Sequence, residues 1–423
     1  MTHSIAWRLA LLAAIIACAA GARPLSADAS AAAPAAATAA PAVADTPYML
    51  DARVVGDDKR VRFVADMSGP VDAAVFALAD PYRIVIDLPE VHFVLPDGAG
   101  ATGRGLISAF RYGLISTGKS RVVIDVTGPV AIDRQFMVPP ANGQPARLVV
   151  DLVPTTRDKF LAAAKAYSDS HEAEAEKGIA TTGVAAGGDA DKPLVVVDPG
   201  HGGIDSGTRS PGGTVEKDVV LTFARVLGGK LLATNRYRVV YTRTDDSYVS
   251  LGDRVLIARN QHAALLVSIH INSFPGSSVR GAIVYTVSDA ASDKMAAALA
   301  NSENQSDALA GIDVKAEDSN QVKDILLDLT QRETRNFGVV FAQALVRHLG
   351  KTTQMFKVPH QEASFKVLEA PDVPSALIEL GYISNAADEK QLVSADWQAG
   401  VADSMVAAID GYFDKGTVAS GKP

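Results

Sequence analysis

At 423 residues the chain has room for two or three domains, and 48% hydrophobic against 21% charged residues is the balance of a globular protein. A net charge of −8 excludes the dense basic face of a nucleic-acid binder. The single cysteine, Cys18, lies in the first apolar run; if that run is cleaved, disulfides, iron–sulfur clusters and Cys-type zinc sites drop out together, and any metal must be held by His, Asp or Glu.

Residues 1–8 are short and basic, 9–20 are apolar, and small residues follow. That is the layout of a secretory signal, too short to span a membrane. A signal peptide over 1–27, cut after Ala22 or Ala27, is therefore expected. Lipidation at Cys18 is the lesser alternative, because Ile15-Ile16-Ala17 fits a lipoprotein signal poorly. The Ala/Pro/Thr-rich stretch 28–46 reads as a disordered leader, and no other stretch is apolar for long enough to cross a bilayer.

Residues 47–153 read as a small all-β unit. One phrase recurs three times, as Arg83-Ile-Val-Ile-Asp87, Arg121-Val-Val-Ile-Asp125 and Arg147-Leu-Val-Val-Asp151. Each is a β-branched run bounded by turn residues, as strands require. Their Arg and Asp side chains read as ion pairs at strand ends of a sandwich, with ligand binding the lesser alternative. This block resembles the AMIN domain that precedes catalytic domains in cell-wall amidases, and the resemblance implies targeting to peptidoglycan or the division septum. Residues 154–191 are polar and Ala-rich, with a solvated helix over 159–177 and a flexible stretch over 183–188, so they read as an interdomain linker.

From Lys192 apolar runs alternate with helical periodicity, the pattern of α/β architecture. Strands are expected over 194–198, 238–242, 265–271, 282–287 and 375–380, and helices over 219–232, 251–261, 294–304, 337–349 and 397–413. The fold class is an α/β catalytic domain over 192–415, a mixed sheet flanked by helices, preceded by the small all-β sandwich; 416–423 is a tail.

Two of the eight histidines end apolar strands, His201 in Val195-Val-Val-Asp198-Pro-Gly-His-Gly-Gly203 and His270 in Leu266-Val-Ser-Ile-His-Ile-Asn272. Carboxyl ends of strands line the ligand crevice of open α/β sheets. Glu216 opens a helix shortly after His201. Two imidazoles and a carboxylate suit catalytic zinc with a fourth position left for water, whose pKa the metal lowers toward about 7. Glu379 sits within an apolar strand, where an unpaired carboxylate is costly, and so reads as the general base for the water and general acid for the leaving amine. Taken singly, each of these residues has a structural reading too: either histidine could be a satisfied core residue, and Glu216 a helix N-terminal charge. His3, His92, His171, His262, His348 and His360 lack a strand-end context and read as surface or structural.

The segment from Val195 to Asn385 resembles the zinc N-acetylmuramoyl-L-alanine amidases of the Amidase_3 family. The matching pieces include Val197-Asp-Pro-Gly-His-Gly-Gly203, Glu216-Lys217, Thr242-Arg-Thr-Asp245, Ser268-Ile-His-Ile-Asn272 and Pro374-Ser375 through Asn385. The resemblance implies Zn2+ on His201, Glu216 and His270, with Glu379 catalytic. Ile271, Leu380 and Tyr382 depart from the usual pattern without touching those four. The order of AMIN block, linker and catalytic domain is similar to that of Gram-negative periplasmic cell-division amidases, which implies a periplasmic location.

An inserted helical segment lies at about 289–335, its extra piece running from 304 to 335. It includes polar 313–320 and an amphipathic run, 322–330. Long insertions beside active sites are often lids. The resemblance implies an autoinhibitory helix that a periplasmic activator protein moves. Glu303 is the candidate blocking fourth ligand; as an alternative, it is a solvated helix charge and Ile325, Leu326 and Leu329 are ordinary core. The expected substrate is peptidoglycan, cut between N-acetylmuramic acid and L-alanine by a monomer. The alternatives are a zinc peptidase or deacetylase, or a wall-binding scaffold with a silent catalytic domain.

Overall fold

The computed structural model describes residues 46–178, 183–187, 189, 191–276, 278–312 and 325–414. The signal peptide, most of the leader, Cys18, His3, the polar run 313–320, the start of the amphipathic run and the tail lie outside them.

Nine strands, β1 (Tyr48–Gly56), β2 (Val61–Met67), β3 (Ala74–Leu78), β4 (Arg83–Pro89), β5 (His92–Phe93), β6 (Ile107–Ser116), β7 (Lys119–Val126), β8 (Val130–Val138) and β9 (Ala146–Pro154), make two sheets. One is ordered β5-β1-β2-β9-β8 and the other β3-β4-β7-β6. Their facing sides share a core that includes Phe63, Ile84, Ile86, Phe110, Val122, Ile124, Leu148 and Val150. The alternate positions Val85 and Val123 are also fully buried, on the outer side of the four-stranded sheet. A strand covered on both faces reads as a continuous apolar run, and Ile84-Val85-Ile86 and Val122-Val123-Ile124 are such runs.

The helix α1 (Arg157–Gly178) falls where one was expected but is not a solvated linker. Phe160 and Ala164 are buried in the sandwich core, and Tyr167 stacks on Phe76 with ring centroids 3.5 Å apart. The apolar face of this helix is formed by spaced residues in an otherwise polar sequence, so composition alone reads it as solvent-bathed. Nor is the Gly-rich stretch after it without structure: β10 (Val184–Gly187) pairs antiparallel with β12 (Arg238–Tyr241) and forms the edge of the sheet.

The α/β unit is built on one seven-stranded sheet, ordered β10-β12-β11-β13-β16-β14-β15. Its other strands are β11 (Leu194–Pro199), β13 (Leu265–Asn272), β14 (Ala282–Val287), β15 (Met355–Ala363) and β16 (Ser375–Tyr382). The central β12-β11-β13-β16 run is parallel, and β14 turns against β16. Helices α2 (Glu216–Ala233), α6 (Ile325–Leu349) and α8 (Ala395–Asp414) bury their apolar stripes with Val195, Val197, Val267, Ile269, Ala376 and Ile378 on one face. Alternate strand residues leave by the other face, where α3 (Leu251–Asn260) and α4 (Lys294–Glu303) cover them. The short α5 (Ser306–Leu309) follows α4, and α7 (Ala386–Leu392) follows β16. β15 ends at Ala363, and Lys366–Leu368 form a single 3-10 turn before β16.

Candidate metal centre

β11 ends at Asp198-Pro199, and the chain then turns with His201 in the left-handed region at φ 56°. A bridge between Gly202 and Asp205 closes that turn. It brings Asp205 Oδ2 to 2.9 Å from His201 Nδ1, leaving Nε2 to point into the crevice. Gly200 makes room for the second imidazole, since a Cβ there would lie 2.4 Å from the His270 ring. Below the turn, buried Asp198 accepts from Arg254 Nη1 at 2.6 Å, Thr242 Oγ1 at 2.5 Å and Ser268 Oγ at 2.6 Å. That carboxylate ties the ends of β11, β12 and β13 together. Arg254 also donates to the carbonyls of Pro199 and His201, each at 2.8 Å, so it grips the loop itself.

Glu216 is the first residue of α2. Thr208 N and Oγ1 donate to its Oε2, at 2.8 and 3.0 Å, and Ile271 N donates to its Oε1 at 2.8 Å. His270 lies on β13. Glu303 is the last residue of α4 and is mostly buried. His201 Nε2 is 3.0 Å from Glu216 Oε1 and 3.4 Å from Glu303 Oε2. His270 Nδ1 lies 3.4 Å from Glu216 Oε1 and 3.3 Å from Glu303 Oε2. Glu379, 1% exposed on β16, faces His270 across the strand pairing. The structure thus brings all five sequence-derived residues into one cluster.

The cluster fits a metal ion. His201 Nε2, His270 Nδ1 and Glu379 Oε2 are buried without a hydrogen-bond partner, an arrangement proteins otherwise avoid. Tetrahedral zinc with N and O ligands at about 2.0–2.1 Å sets ligand atoms about 3.3 Å apart, and the four contacts here run from 3.0 to 3.4 Å. His201, His270 and Glu303 form a set able to hold a metal, and Glu216 Oε1 lies against the same two imidazole nitrogens.

Without an ion, the imidazoles keep protons. Burial opposes charge on His201, but the carboxylates of Asp205, Glu216 and Glu303 outweigh it and hold its pKa well above the ordinary value. Burial likewise opposes charge on His270, and Glu303 and Glu216 raise it to about 10. Glu216 is held far below the carboxylate range, since the imidazoles overcome its burial. Glu379 moves the other way: burial pushes it well up, and Glu216 and Glu303 reinforce this against His270.

Asp205, Ser306 and Asp307 were not singled out from sequence. Ser306 Oγ donates to Asp205 Oδ2, and Tyr248 Oη donates to Asp307 Oδ1 at 2.6 Å. An Asp four residues after a strand-end histidine was a usable signal for the first. Nothing local marks Ser306 or Asp307, whose partners lie 101 and 59 residues away. Of the histidines outside the cluster, His360 meets Thr286 Oγ1 at 2.9 Å between β15 and β14.

Among models of known protein families, residues 195–411 match N-acetylmuramoyl-L-alanine amidase and residues 51–152 match the AMIN domain. The chain is similar to N-acetylmuramoyl-L-alanine amidase AmiC of Escherichia coli O6:H1, 34% identical over 352 residues that span 81% of this chain and 84% of that one. It is also similar to AmiC of Neisseria meningitidis serogroup B, 31% identical over 402 residues, 90% of this chain and 94% of that one. With AmiA of Escherichia coli K12 it shares 34% identity over 224 residues, 52% and 76% of the two chains.

Proposed function

The chain belongs to the N-acetylmuramoyl-L-alanine amidase family, and from that premise we propose how its own residues perform and restrain the reaction. It is a hydrolase of peptidoglycan that cuts the amide between N-acetylmuramic acid and L-alanine. His201, Glu216 and His270 would hold zinc; a zinc ion there supplies Lewis-acid polarisation of the scissile carbonyl and acidifies a bound water. The observation that carries this reading is the convergence of two buried imidazole nitrogens on the Glu216 carboxylate, with Glu379 beside them.

Glu379 takes a proton from the attacking water and delivers it to the departing alanine nitrogen. Burial gives the carboxyl a high proton affinity, so it can hold the proton taken from water until the alanine nitrogen receives it.

With Oε2 at 3.4 and 3.3 Å from His201 Nε2 and His270 Nδ1, Glu303 would take the fourth ligand position and so block the place that substrate and water need. It also raises the proton affinity of Glu379. Its withdrawal therefore does two things, opening the fourth position and easing Glu379 toward the base it must be. The insertion is the autoinhibitory element, moved aside by a periplasmic activator protein, and the enzyme acts in daughter-cell separation after export by its signal peptide. The AMIN block, 47–153, targets the wall, and 192–415 carries the catalysis.

The deciding experiment is mass spectrometry of products from purified sacculi treated with the zinc-loaded full chain, with and without deletion of 305–335. Free stem peptides and peptide-free glycans, more abundant with the deletion, are expected. Cleavage inside the peptides would make the protein a peptidase. No product from either protein, with zinc bound, would make it a wall-binding scaffold.

A further inference from the structure

The outer face of the sheet β3-β4-β7-β6 is not free. Phe76, Leu78, Val85 and Val123 on that face form one buried cluster with Ile204 of the His201 loop, Tyr248, and Ala310 of the insertion. Three arginines of the same sheet reach the insertion's backbone. Arg83 donates to the Ala308 carbonyl, Arg111 to that of Leu309, and Arg121 Nη1 to those of Ala310 and Gly311 at 3.2 and 2.9 Å. The Ala308 carbonyl also accepts from Gly311 N at 3.1 Å, and the carbonyls of Leu309, Ala310 and Gly311 lie at and beyond the end of α5, where acceptors are left to outside donors.

Two of the arginines are held in aim by carboxylates of their own sheet, Arg121 by Asp87 at 2.6 Å and Arg111 by Asp125 at 2.5 Å. The sandwich also holds the metal loop: the Leu114 carbonyl of β6 accepts from Ile204 N at 3.0 Å. Between those two grips Ser306 donates to Asp205, the carboxylate that orients His201. Glu303 lies three residues before Ser306. One rigid sheet thus bridges the loop bearing a metal ligand and the segment bearing its blocker.

We propose that the β-sandwich domain is the clamp of the autoinhibited state: its arginine face is a docking surface for residues 306–311 of the same chain, and through them it keeps Glu303 seated on His201 and His270. The partner this face fits is a carbonyl-rich helix end. Detaching it frees Glu303 with no change at the metal ligands, so an activator can work by prising insertion from sandwich. This rests on the reading of Glu303 as the block, and the test separates the two.

The test uses the full chain and two readouts, amide hydrogen exchange over 303–312 and product release from sacculi. The proteins are wild type, the double variant Arg111→Ala/Arg121→Ala, Glu303→Ala, and Arg60→Ala as control, whose side chain pairs with Asp133. The amides of Ala310, Gly311 and Ile312 are bonded within the segment and report its opening. A bond from a charged donor biases a two-state equilibrium by about tenfold or more. The double variant should therefore exchange these amides at least about tenfold faster and release more product, approaching Glu303→Ala, while Arg60→Ala stays at wild type. Unchanged exchange in the double variant overturns the clamp. So does unchanged product release when Glu303→Ala releases freely. If Glu303→Ala itself gains nothing, the blocking role falls, and exchange alone decides whether the sandwich holds the segment. Should the double variant unfold the sandwich, Gly311→Val replaces it. Gly311 has φ 71°, and a Cβ there would meet Val123 Cγ2 at 2.9 Å, so valine wedges the contact from the insertion's side.

Discussion

His270 and Glu379 occupy the same register position on the adjacent parallel strands β13 and β16. Register partners leave a sheet by the same face, so a proposed ligand and the proposed proton carrier are set side by side by backbone hydrogen bonds alone. The same rule puts Asp198 level with Ser268 on β11 and β13. A slip of one residue in either pairing would send Glu379 or Asp198 to the face filled by α2, α6 and α8.

Replacing the Glu379 carboxyl by its neutral isostere should therefore remove chemistry and little else. Glu379→Gln is expected to lower kcat by about 10²–10⁴, the usual worth of a general acid–base group. Bound zinc, measured by atomic emission, should stay at the wild-type level. Loss of zinc along with activity would reassign Glu379 to the ligand set.

Zinc binding should expel protons. His201 and His270 are protonated at neutral pH in the metal-free protein, the second with a pKa of about 10, and a metal needs their lone pairs. About two protons should leave per ion bound at pH 7, so affinity should fall about a hundredfold per pH unit as the solution is acidified. Titration calorimetry in buffers of different ionisation enthalpy counts them; fewer than about one would contradict the arrangement. The same charges stabilise the metal-free fold below the unfolded histidine value of about 6.5. That contribution is lost as pH rises through about 10, so metal-free protein should soften on the alkaline side.

Much of this centre was legible because its parts carry local signals. His201 and His270 end apolar runs, Glu216 opens an amphipathic helix, and Glu379 breaks a run that has no other charged residue. What escaped depends on distant partners. Arg83 and Arg121 read as strand-end charges; Arg121 does pair with Asp87, yet both also reach carbonyls 189 or more residues away. Phe160, Ala164 and Tyr167 are too sparse to mark α1 as docked. The clearest unread signal was Ile84-Val85-Ile86, a strand apolar on both faces, which a free-standing sandwich does not need.

Asp205 is expected to act through His201. Its Oδ2 accepts from Nδ1, which fixes the ring and its tautomer so that Nε2 faces the metal position. Asp205→Asn should weaken zinc binding about 10–100-fold, the ordinary cost of losing such a partner. Competition against a chromophoric chelator measures it. An unchanged affinity would mean that the turn closed by Gly202 and Asp205 holds the imidazole unaided.

The Asp198–Arg254 pair makes a stability prediction with a definite sign. Both side chains are at most 2% exposed. Burial alone would push Asp198 up, but Arg254, Ser268 and Thr242 together hold it below the ordinary carboxylate range. In the wild type the ionised pair therefore contributes fully above the unfolded value of about 3.9, and the contribution is lost as pH falls through the lower folded value. Arg254→Met strands a buried carboxylate, at a cost of about 3–5 kcal/mol near neutrality. Its Asp198 would then titrate high, so the neutral form is favoured and the variant loses stability as pH rises. Guanidinium unfolding at pH 4, 5 and 7 should show the gap between the two proteins widening toward pH 7. A constant gap would mean that Arg254 acts through its hold on the Pro199 and His201 carbonyls, not through the charge on Asp198.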